Sequence, residues 1–93
     1  MSDYRVFETD EFKKSNKALA RRSGRSLDRK LIEYVYPQLK QEPHFGPNIK
    51  RLQGYDPLTW RYRIGDYRIF YQIDEAEKIV FILTIDDRKE AYR

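Results

Sequence analysis

The stretch that decides the fold is Trp60–Tyr71, which reads WRYRIGDYRIFY. Gly65-Asp66 lies at its centre, and apolar and polar residues alternate on both sides of this dipeptide. A two-residue loop with glycine first is typical of a type II′ turn in a β-hairpin. We therefore predict two antiparallel strands, at 59–64 and 67–73, joined by this turn.

The turn also fixes which residues of the two strands lie opposite each other, because hairpin register follows from loop length. Ile64 then pairs with Tyr67, and Arg63 with Arg68. The pairs that follow are Tyr62–Ile69, Arg61–Phe70 and Trp60–Tyr71. Alternation places a mainly aromatic set on the face that packs on the core: Trp60, Tyr62, Ile64, Tyr67, Ile69 and Tyr71. The opposite face, here called the arginine face, carries Arg61, Arg63, Arg68 and Phe70.

Two further strands are expected beside this hairpin, at 49–53 and 79–85, with turns at 54–57 and 74–78. A five-residue loop over 74–78 would pair Ile73 with Ile79 and Tyr71 with Phe81. In this register Leu83 and Ile85 join the core face. Ile82 and Thr84 join the arginine face, and continued alternation brings Asp86 and Arg88 to its edge.

The first half of the chain is predicted to be mainly helical. After a short strand at 4–8, Thr9 occupies an N-cap position and a helix follows to about Arg22, ended by Ser23-Gly24. Ser26 can cap a second helix, in which Pro37 predicts a kink or a break at Tyr36. The apolar stripe of that helix is Leu27, Leu31, Tyr34 and Val35. Residues 42–48 are expected to form a loop. We thus expect one α+β domain over residues 1–93, with a helical hairpin on an antiparallel sheet.

Composition excludes several classes of protein. The 93 residues contain no cysteine and one histidine, His44, so disulfide frameworks, thiolate nucleophiles and Cys-based zinc sites are excluded. The longest apolar run, Ile79–Leu83, is too short to span a bilayer, and the N-terminus does not resemble a signal peptide. We expect a soluble cytoplasmic protein. Lys and Arg number 19 against 15 Asp and Glu, and this net charge of +4 favours an anionic partner.

The arginine face is the candidate site. Like charges directly opposite each other destabilise a sheet, so the Arg63–Arg68 pair calls for a functional reason. Guanidinium groups bind phosphate oxygens in bidentate fashion, which suits a polyanion. The predicted site is Arg61, Arg63, Arg68 and Arg88, with Tyr92 able to stack on a base. The alternatives are a solvated arginine-rich face without function and, for Tyr92, simple terminal packing.

A second basic region lies on the predicted helices. Residues 13–30 carry eight cations and one carboxylate, Asp28. The cations form either a solvated face or a second surface that binds nucleic acid. The candidate RNA- or ribosome-binding residues in the helices and the following strand are Lys13, Lys14, Lys17, Arg21, Arg22, Arg25, Arg29, Lys50 and Arg51. His44, in a proline-rich loop, is expected to be a surface residue rather than a catalytic base.

The residues resemble the RelE/ParE toxin superfamily, on the RelE side, over nearly the whole chain. The resemblance rests on Ile49–Leu52, on the hairpin Trp60–Tyr71 and on the ending Asp87-Arg88-Lys89-Glu90-Ala91-Tyr92. It implies a microbial-RNase-like α+β fold and ribosome-dependent cleavage of mRNA without metal or cofactor. It also implies a cognate acidic antitoxin, through which the complex would bind its own operator DNA.

The resemblance also implies roles for the site residues. Arg61 and Arg63 would face the scissile phosphate, Arg68 would steady the transition state, Arg88 would lie near the leaving group, and Tyr92 would orient the substrate base. Many relatives carry lysine at the positions of Arg61 or Arg63, and arginine stays protonated near neutral pH. The general base is therefore open among Asp86, Asp87, Glu90, Tyr92 and a ribosomal RNA group. Two alternative functions remain: a ParE-like gyrase inhibitor that acts by binding, and a basic interaction module that does not cleave.

Overall fold

The structure is a computed structural model that describes residues 3–87. Its elements are β1 (Arg5–Glu8), α1 (Asp10–Ser23), α2 (Asp28–Lys30), a π-helical segment (Leu31–Val35), α3 (Tyr36–Gln41), β2 (Ile49–Leu52), β3 (Thr59–Ile64), β4 (Tyr67–Asp74) and β5 (Ile79–Asp87). The strands form one sheet in the order β1-β5-β4-β3-β2. β1 lies parallel to β5, and the other pairs are antiparallel. The predicted α+β class is confirmed.

The central hairpin has the predicted register at every position. Ile64 pairs with Tyr67 and Arg63 with Arg68, and the pairing continues to Trp60 and Tyr71. Gly65 has a φ of 58°, which suits the first position of a type II′ turn, and Asp66 has no such positive φ. The turn residues therefore set the register of the two strands that carry the arginines.

The register between β4 and β5 differs from the prediction. The turn between them has four residues rather than five, so Asp74 pairs with Ile79 and Tyr71 pairs with Ile82. A β-bulge then shifts the pairing so that Phe70 lies opposite Thr84, which leaves Leu83 as the extra residue. Ile82 is consequently fully buried in the core rather than on the arginine face, and Leu83 is only half-buried.

The start of α1 follows its sequence signals. The Thr9 hydroxyl accepts a hydrogen bond from the Phe12 backbone N–H at 3.2 Å, and it also donates to the Ile82 carbonyl oxygen at 2.7 Å. Thr9 thus caps the helix and fixes it to β5. The helix ends at Gly24, which adopts a left-handed φ of 72°. Phe12 and Leu19 are buried and hold α1 against the sheet.

The second helical segment continues through Pro37, so the predicted kink or break at Tyr36 takes the form of an irregular turn without a break. Tyr36 keeps helical dihedral angles, and its backbone N–H donates to the Leu31 carbonyl oxygen, five residues back. Pro37 has no backbone N–H to donate to the helix. The helix accommodates the proline by widening into the π-helical turn just before it. A π-helical turn rotates successive residues less than an α-helical turn does. Tyr34 therefore leaves the predicted apolar stripe and is 66% exposed, while Leu31, Val35 and Leu39 stay buried.

The core lies between these helices and one face of the sheet. Tyr62, Ile69 and Tyr71 are buried on the central strands, as predicted, and Trp60, Ile64 and Tyr67 pack against them while partly exposed. The arginine face is the other side of the same strands. Arg88 and Tyr92 lie outside the described residues.

Candidate functional site

Four basic side chains come together on the arginine face. Arg61 and Arg63 lie on β3, and Arg68 lies opposite Arg63 on β4. Lys50 on β2 pairs with Arg61 and extends the basic surface across a third strand. On the other side, β5 places Asp86 opposite Arg68. The structure therefore brings four cations from three adjacent strands onto one face, with a carboxylate opposite Arg68.

The guanidinium groups on this face have few partners among the described residues. Within residues 3–87, none of Arg61, Arg63 and Arg68 forms a salt bridge. The Nε atoms of Arg61 and Arg68 are shielded from solvent and have no hydrogen-bond partner there. The Arg68 guanidinium lies 5.7 Å from the centre of the Phe70 ring, which holds it over the sheet. These three cations are therefore not neutralised by a salt bridge within the described residues.

The cations predicted on the helices are solvent-exposed, as are Lys50 and Arg51. Arg29 pairs with Glu33 at 2.9 Å in an exposed i,i+4 contact, so part of its charge is compensated locally. Arg51 pairs with Trp60 and therefore lies on the face opposite the arginine face. These residues form a dispersed basic surface rather than one pocket.

A cavity of about 580 Å³ opens between α1 and the end of β5. Arg21 and Arg22 line one side, and Asp86 and Asp87 line the other. The predicted helical cations and the candidate carboxylates thus meet at one place. Asp87 pairs with Tyr67, on the core side of the sheet, whereas Asp86 faces Arg68.

His44 connects two segments of the fold, whereas the sequence indicated only a surface residue. Its Nδ1 lies 2.7 Å from a Glu42 carboxylate oxygen and its Nε2 lies 2.6 Å from Glu75, an arrangement that fits a protonated ring donating from both nitrogens. The ring also makes edge contacts with Tyr4 and Trp60. Partial burial lowers the pKa of His44, but the hydrogen bonds and charges of both glutamates outweigh it, and the net pKa is raised. The side chain is 26% exposed, so His44 is a clamp between the loop and the β4–β5 turn.

No single local signal identifies this clamp, because Glu75 is 31 positions from His44 in sequence. The same hydrogen bonds lower the pKa of Glu42 and of Glu75.

Across the described residues, no group of three or more His, Asp or Glu side chains is placed to hold a metal ion. None of the helices between residues 3 and 87 has the length and apolar character needed to cross a membrane.

Comparison with known proteins assigns the chain and its fold to a family. A family profile described as "ParE toxin of type II toxin-antitoxin system, parDE" matches residues 6–92. The chain belongs to the RelE/ParE superfamily of type II toxins. Toxin RelG of Mycobacterium tuberculosis is 35% identical over 65 residues, which cover 68% of this chain and 70% of that protein.

Solved structures agree with this assignment. The toxin–antitoxin complex RelBE2 of Mycobacterium tuberculosis matches with a TM-score of 0.72 and 28% identity, over 95% of this chain and 94% of that chain. The RelE–RelB complex of Pyrococcus horikoshii matches with a TM-score of 0.68 and 26% identity, over 92% and 96% of the two chains. A mutant Escherichia coli RelE in the free state shares the fold at 17% identity, with a TM-score of 0.69 over 97% and 88%. The predicted superfamily is thereby confirmed.

Proposed function

We propose that this toxin is an endoribonuclease that cleaves mRNA on the ribosome and so inhibits translation. The observation that carries the proposal is the arginine face, where Arg63 and Arg68 stand directly opposite each other. This juxtaposition costs stability, and within residues 3–87 nothing neutralises it through a salt bridge. A bound phosphate would neutralise this repulsion by accepting hydrogen bonds from the guanidinium groups.

The chemistry proposed is attack of the ribose 2′-OH on the adjacent phosphate. A new O2′–P bond forms, the P–O5′ bond breaks, and a 2′,3′-cyclic phosphate is left on one fragment. The proton of the 2′-OH passes to a base, and the departing O5′ takes up a proton. Negative charge grows on the phosphorane oxygens, and fixed guanidinium groups stabilise it without metal. Each well-placed arginine contributes about 2–4 kcal/mol, comparable with one oxyanion-hole donor.

Asp86 is the best placed general base within residues 3–87. It is exposed, lies on the arginine face and pairs with Arg68 across the sheet. Asp87 lies on the other side of β5 and is less suited. Arg88 and Tyr92 stay predictions for the leaving group and for base stacking, and Glu90, Tyr92 and a ribosomal RNA group stay alternatives for the base.

The natural partner proposed is an acidic antitoxin. Two of the matching structures are complexes of a RelE-type toxin with its antitoxin. The net charge of +4 and the exposed cations of α1 suit a disordered acidic segment that folds on binding. Operator DNA would then be bound by the complex through the antitoxin.

A second candidate is favoured by the family profile, which is named for ParE toxins. In that case the chain would inhibit DNA gyrase by binding, and a cleavage-competent arginine face would be unnecessary. Cleavage and gyrase inhibition share the fold, so only activity separates them.

The test is a purified translation system programmed with a defined mRNA, in which 5′ ends are mapped after toxin addition. We expect new ends that require ribosomes, together with 2′,3′-cyclic phosphate termini. The Arg61→Ala variant should lose about 30- to 1,000-fold in cleavage rate, which corresponds to the 2–4 kcal/mol above. Arg5→Ala is the matched control, since Arg5 is an exposed strand arginine on β1, which β5 separates from β4.

Two outcomes would contradict the proposal. One is an intact mRNA together with inhibition of supercoiling in a gyrase assay, which would establish the ParE-like alternative. The other is equal loss of cleavage in the Arg61 and Arg5 variants, which would remove the arginine face from the mechanism.

A further inference from the structure

One aromatic side chain lies among the arginines of the arginine face. Phe70 is on β4, where its cross-strand partner is Arg61 on β3, and Arg68 precedes it by two positions on the same strand. Residues two positions apart in a strand lie on the same side of a sheet, and cross-strand partners also share a side. Phe70 is therefore a neighbour of both arginines. Its side chain is half-buried, although it lies on the face opposite the helices.

The Arg68 guanidinium contacts this ring and forms no salt bridge among the described residues. Its central carbon lies 5.7 Å from the centre of the Phe70 ring, within the range of a cation–π interaction. Asp86 is the cross-strand partner of Arg68 on β5, yet no salt bridge joins the two side chains. An aromatic ring, rather than a carboxylate, therefore holds this guanidinium.

The two arginines beside Phe70 are shielded at the same atom. The Nε atoms of Arg61 and Arg68 are shielded from solvent and have no hydrogen-bond partner among the described residues, and no Nη atom of either side chain is in that position. A shielded Nε cannot donate to an anion that arrives from solvent. An anion on this face must therefore accept its hydrogen bonds from the Nη groups.

An aromatic ring has an advantage over a carboxylate at position 70. A carboxylate would form salt bridges with the arginines and compete with a phosphate for the same donors. The π face attracts a guanidinium without accepting the hydrogen bonds of its Nη groups and without neutralising its charge. A guanidinium that the ring already holds also loses less conformational entropy when an anion binds.

We propose that Phe70 is a positioning residue, whose ring fixes the Arg68 guanidinium so that its Nη groups are presented to the scissile phosphate. Phe70 acts through Arg68 and not by contact with the phosphate. The proposal rests on the proposed function, because it concerns how that site holds its substrate. Since the guanidinium is in place before the reaction begins, its stabilisation of the phosphorane costs no reorganisation.

The first experiment measures ribosome-dependent cleavage of a defined mRNA by Phe70→Leu, which keeps an apolar side chain but removes the ring. We expect kcat to fall about 5- to 30-fold, the rate equivalent of 1–2 kcal/mol, with KM changed by less than about twofold. Phe70→Tyr retains the ring and should cleave within about twofold of the wild type. In the Arg68→Ala background, Phe70→Leu should cause no further loss, because the ring then has no guanidinium to hold.

Phe81→Leu is the matched control. Phe81 is another half-buried phenylalanine on this side of the sheet, opposite Gln72, and its ring packs on Phe7 with a centroid distance of 5.7 Å. Unchanged cleavage in Phe70→Leu, or equal losses in Phe70→Leu and Phe81→Leu, would overturn the proposal. A Phe70→Leu loss of the same size in the wild-type and Arg68→Ala backgrounds would also overturn it, because Phe70 would then have a purely structural role.

A second measurement, by NMR, needs neither cleavage nor a variant that folds. In the wild type, the Nε–H proton of Arg68 should exchange with water more slowly than that of Arg5, an exposed arginine on β1, because the Arg68 Nε is shielded. Phe70→Leu should accelerate this exchange and remove the ring-current shift of the Arg68 side chain. Equal exchange at Arg68 and Arg5 in the wild type would overturn the proposal.

The two proposals fail separately. If the wild type leaves mRNA intact on ribosomes, and its Arg68 Nε–H is protected in a way that depends on Phe70, the cleavage proposal fails and Phe70 still positions the guanidinium. If the wild type cleaves mRNA and Arg61→Ala does not, while Phe70→Leu cleaves as the wild type does, the cleavage proposal stands and the role of Phe70 is refuted.

Discussion

Replacing Arg68 by alanine should reduce mRNA cleavage strongly and change the stability of the fold very little. We expect ribosome-dependent cleavage to fall by about 30- to 1,000-fold, because one guanidinium that stabilises the phosphorane is lost. The free energy of unfolding should meanwhile change by less than about 1 kcal/mol. This combination is unusual for a residue on a central strand, and it follows from the contacts that Arg68 makes.

The small stability effect is a balance of opposing contributions. Removing the guanidinium relieves its repulsion from Arg63, a gain of about 0.2–1 kcal/mol for like charges opposite each other. It also removes the shielded Nε donor, which has no partner within the described residues, a gain of about 1 kcal/mol. The contact with the Phe70 ring is lost, at about 0.5–1 kcal/mol. The variant also loses the cross-strand attraction between Arg68 and Asp86, and alanine has a lower strand preference than arginine. These two effects together lower stability by a similar amount.

The assay is urea unfolding of the wild type, Arg63→Ala, Arg68→Ala and the double variant, with cleavage measured on the same preparations. The double-mutant cycle isolates the interaction of the two arginines, and its sign should show repulsion. Two results would refute the reasoning: a loss of more than about 2 kcal/mol in Arg68→Ala, or cleavage within about threefold of the wild type. An attractive coupling between Arg63 and Arg68 would refute the claim that the pair is maintained at a cost.

Three further predictions follow from the structure. His44→Gln should lower stability by about 1 kcal/mol at pH 6, since the partly exposed clamp is protonated there, and the difference should shrink as pH rises through the raised pKa of His44; equal melting-temperature differences at pH 6 and pH 9 would contradict this. Excess chelator should leave mRNA cleavage unchanged when ribosome integrity is controlled separately, and a metal-restorable loss would overturn the metal-independent mechanism. The association rate with the cognate antitoxin, followed by stopped flow, should fall as salt rises, because charge steering is screened over about 8–10 Å at 0.1–0.15 M; a rate independent of salt would leave only apolar docking.

The parts of the fold that the sequence predicts correctly are those controlled by nearby residues. Gly65-Asp66 determines the hairpin register, and Thr9 and Gly24 determine the ends of α1. In each case the deciding atoms lie within a few positions of one another, so local turn and capping rules suffice. The arginine face was therefore predictable, because it depends only on the register of that one hairpin.

The parts that the sequence does not predict depend on contacts between distant segments. Pro37 predicts an irregular helix, but whether the chain breaks or widens into a π-helical turn is decided by packing of Leu31, Val35 and Leu39 on the sheet. The exposed Tyr34 follows from that choice. The clamp around His44 likewise depends on Glu75, which lies 31 positions further along the sequence. Propensity rules contain no information on either contact.

The register of β5 shows how such an error affects the site. The four-residue turn shifts the pairing by one position, and the bulge at Leu83 shifts it by another. A shift of one position exchanges the two faces of a strand, so Ile82 lies in the core, contrary to the prediction. A shift of two positions returns each residue to its original face. Thr84, Ile85 and Asp86 therefore lie on their predicted faces. The partner of Arg68 nevertheless moves by two residues, from Thr84 to Asp86. The shorter turn and the bulge together therefore place a carboxylate, rather than a hydroxyl, opposite the central arginine, and this pairing favours Asp86 among the candidate bases that the sequence offers.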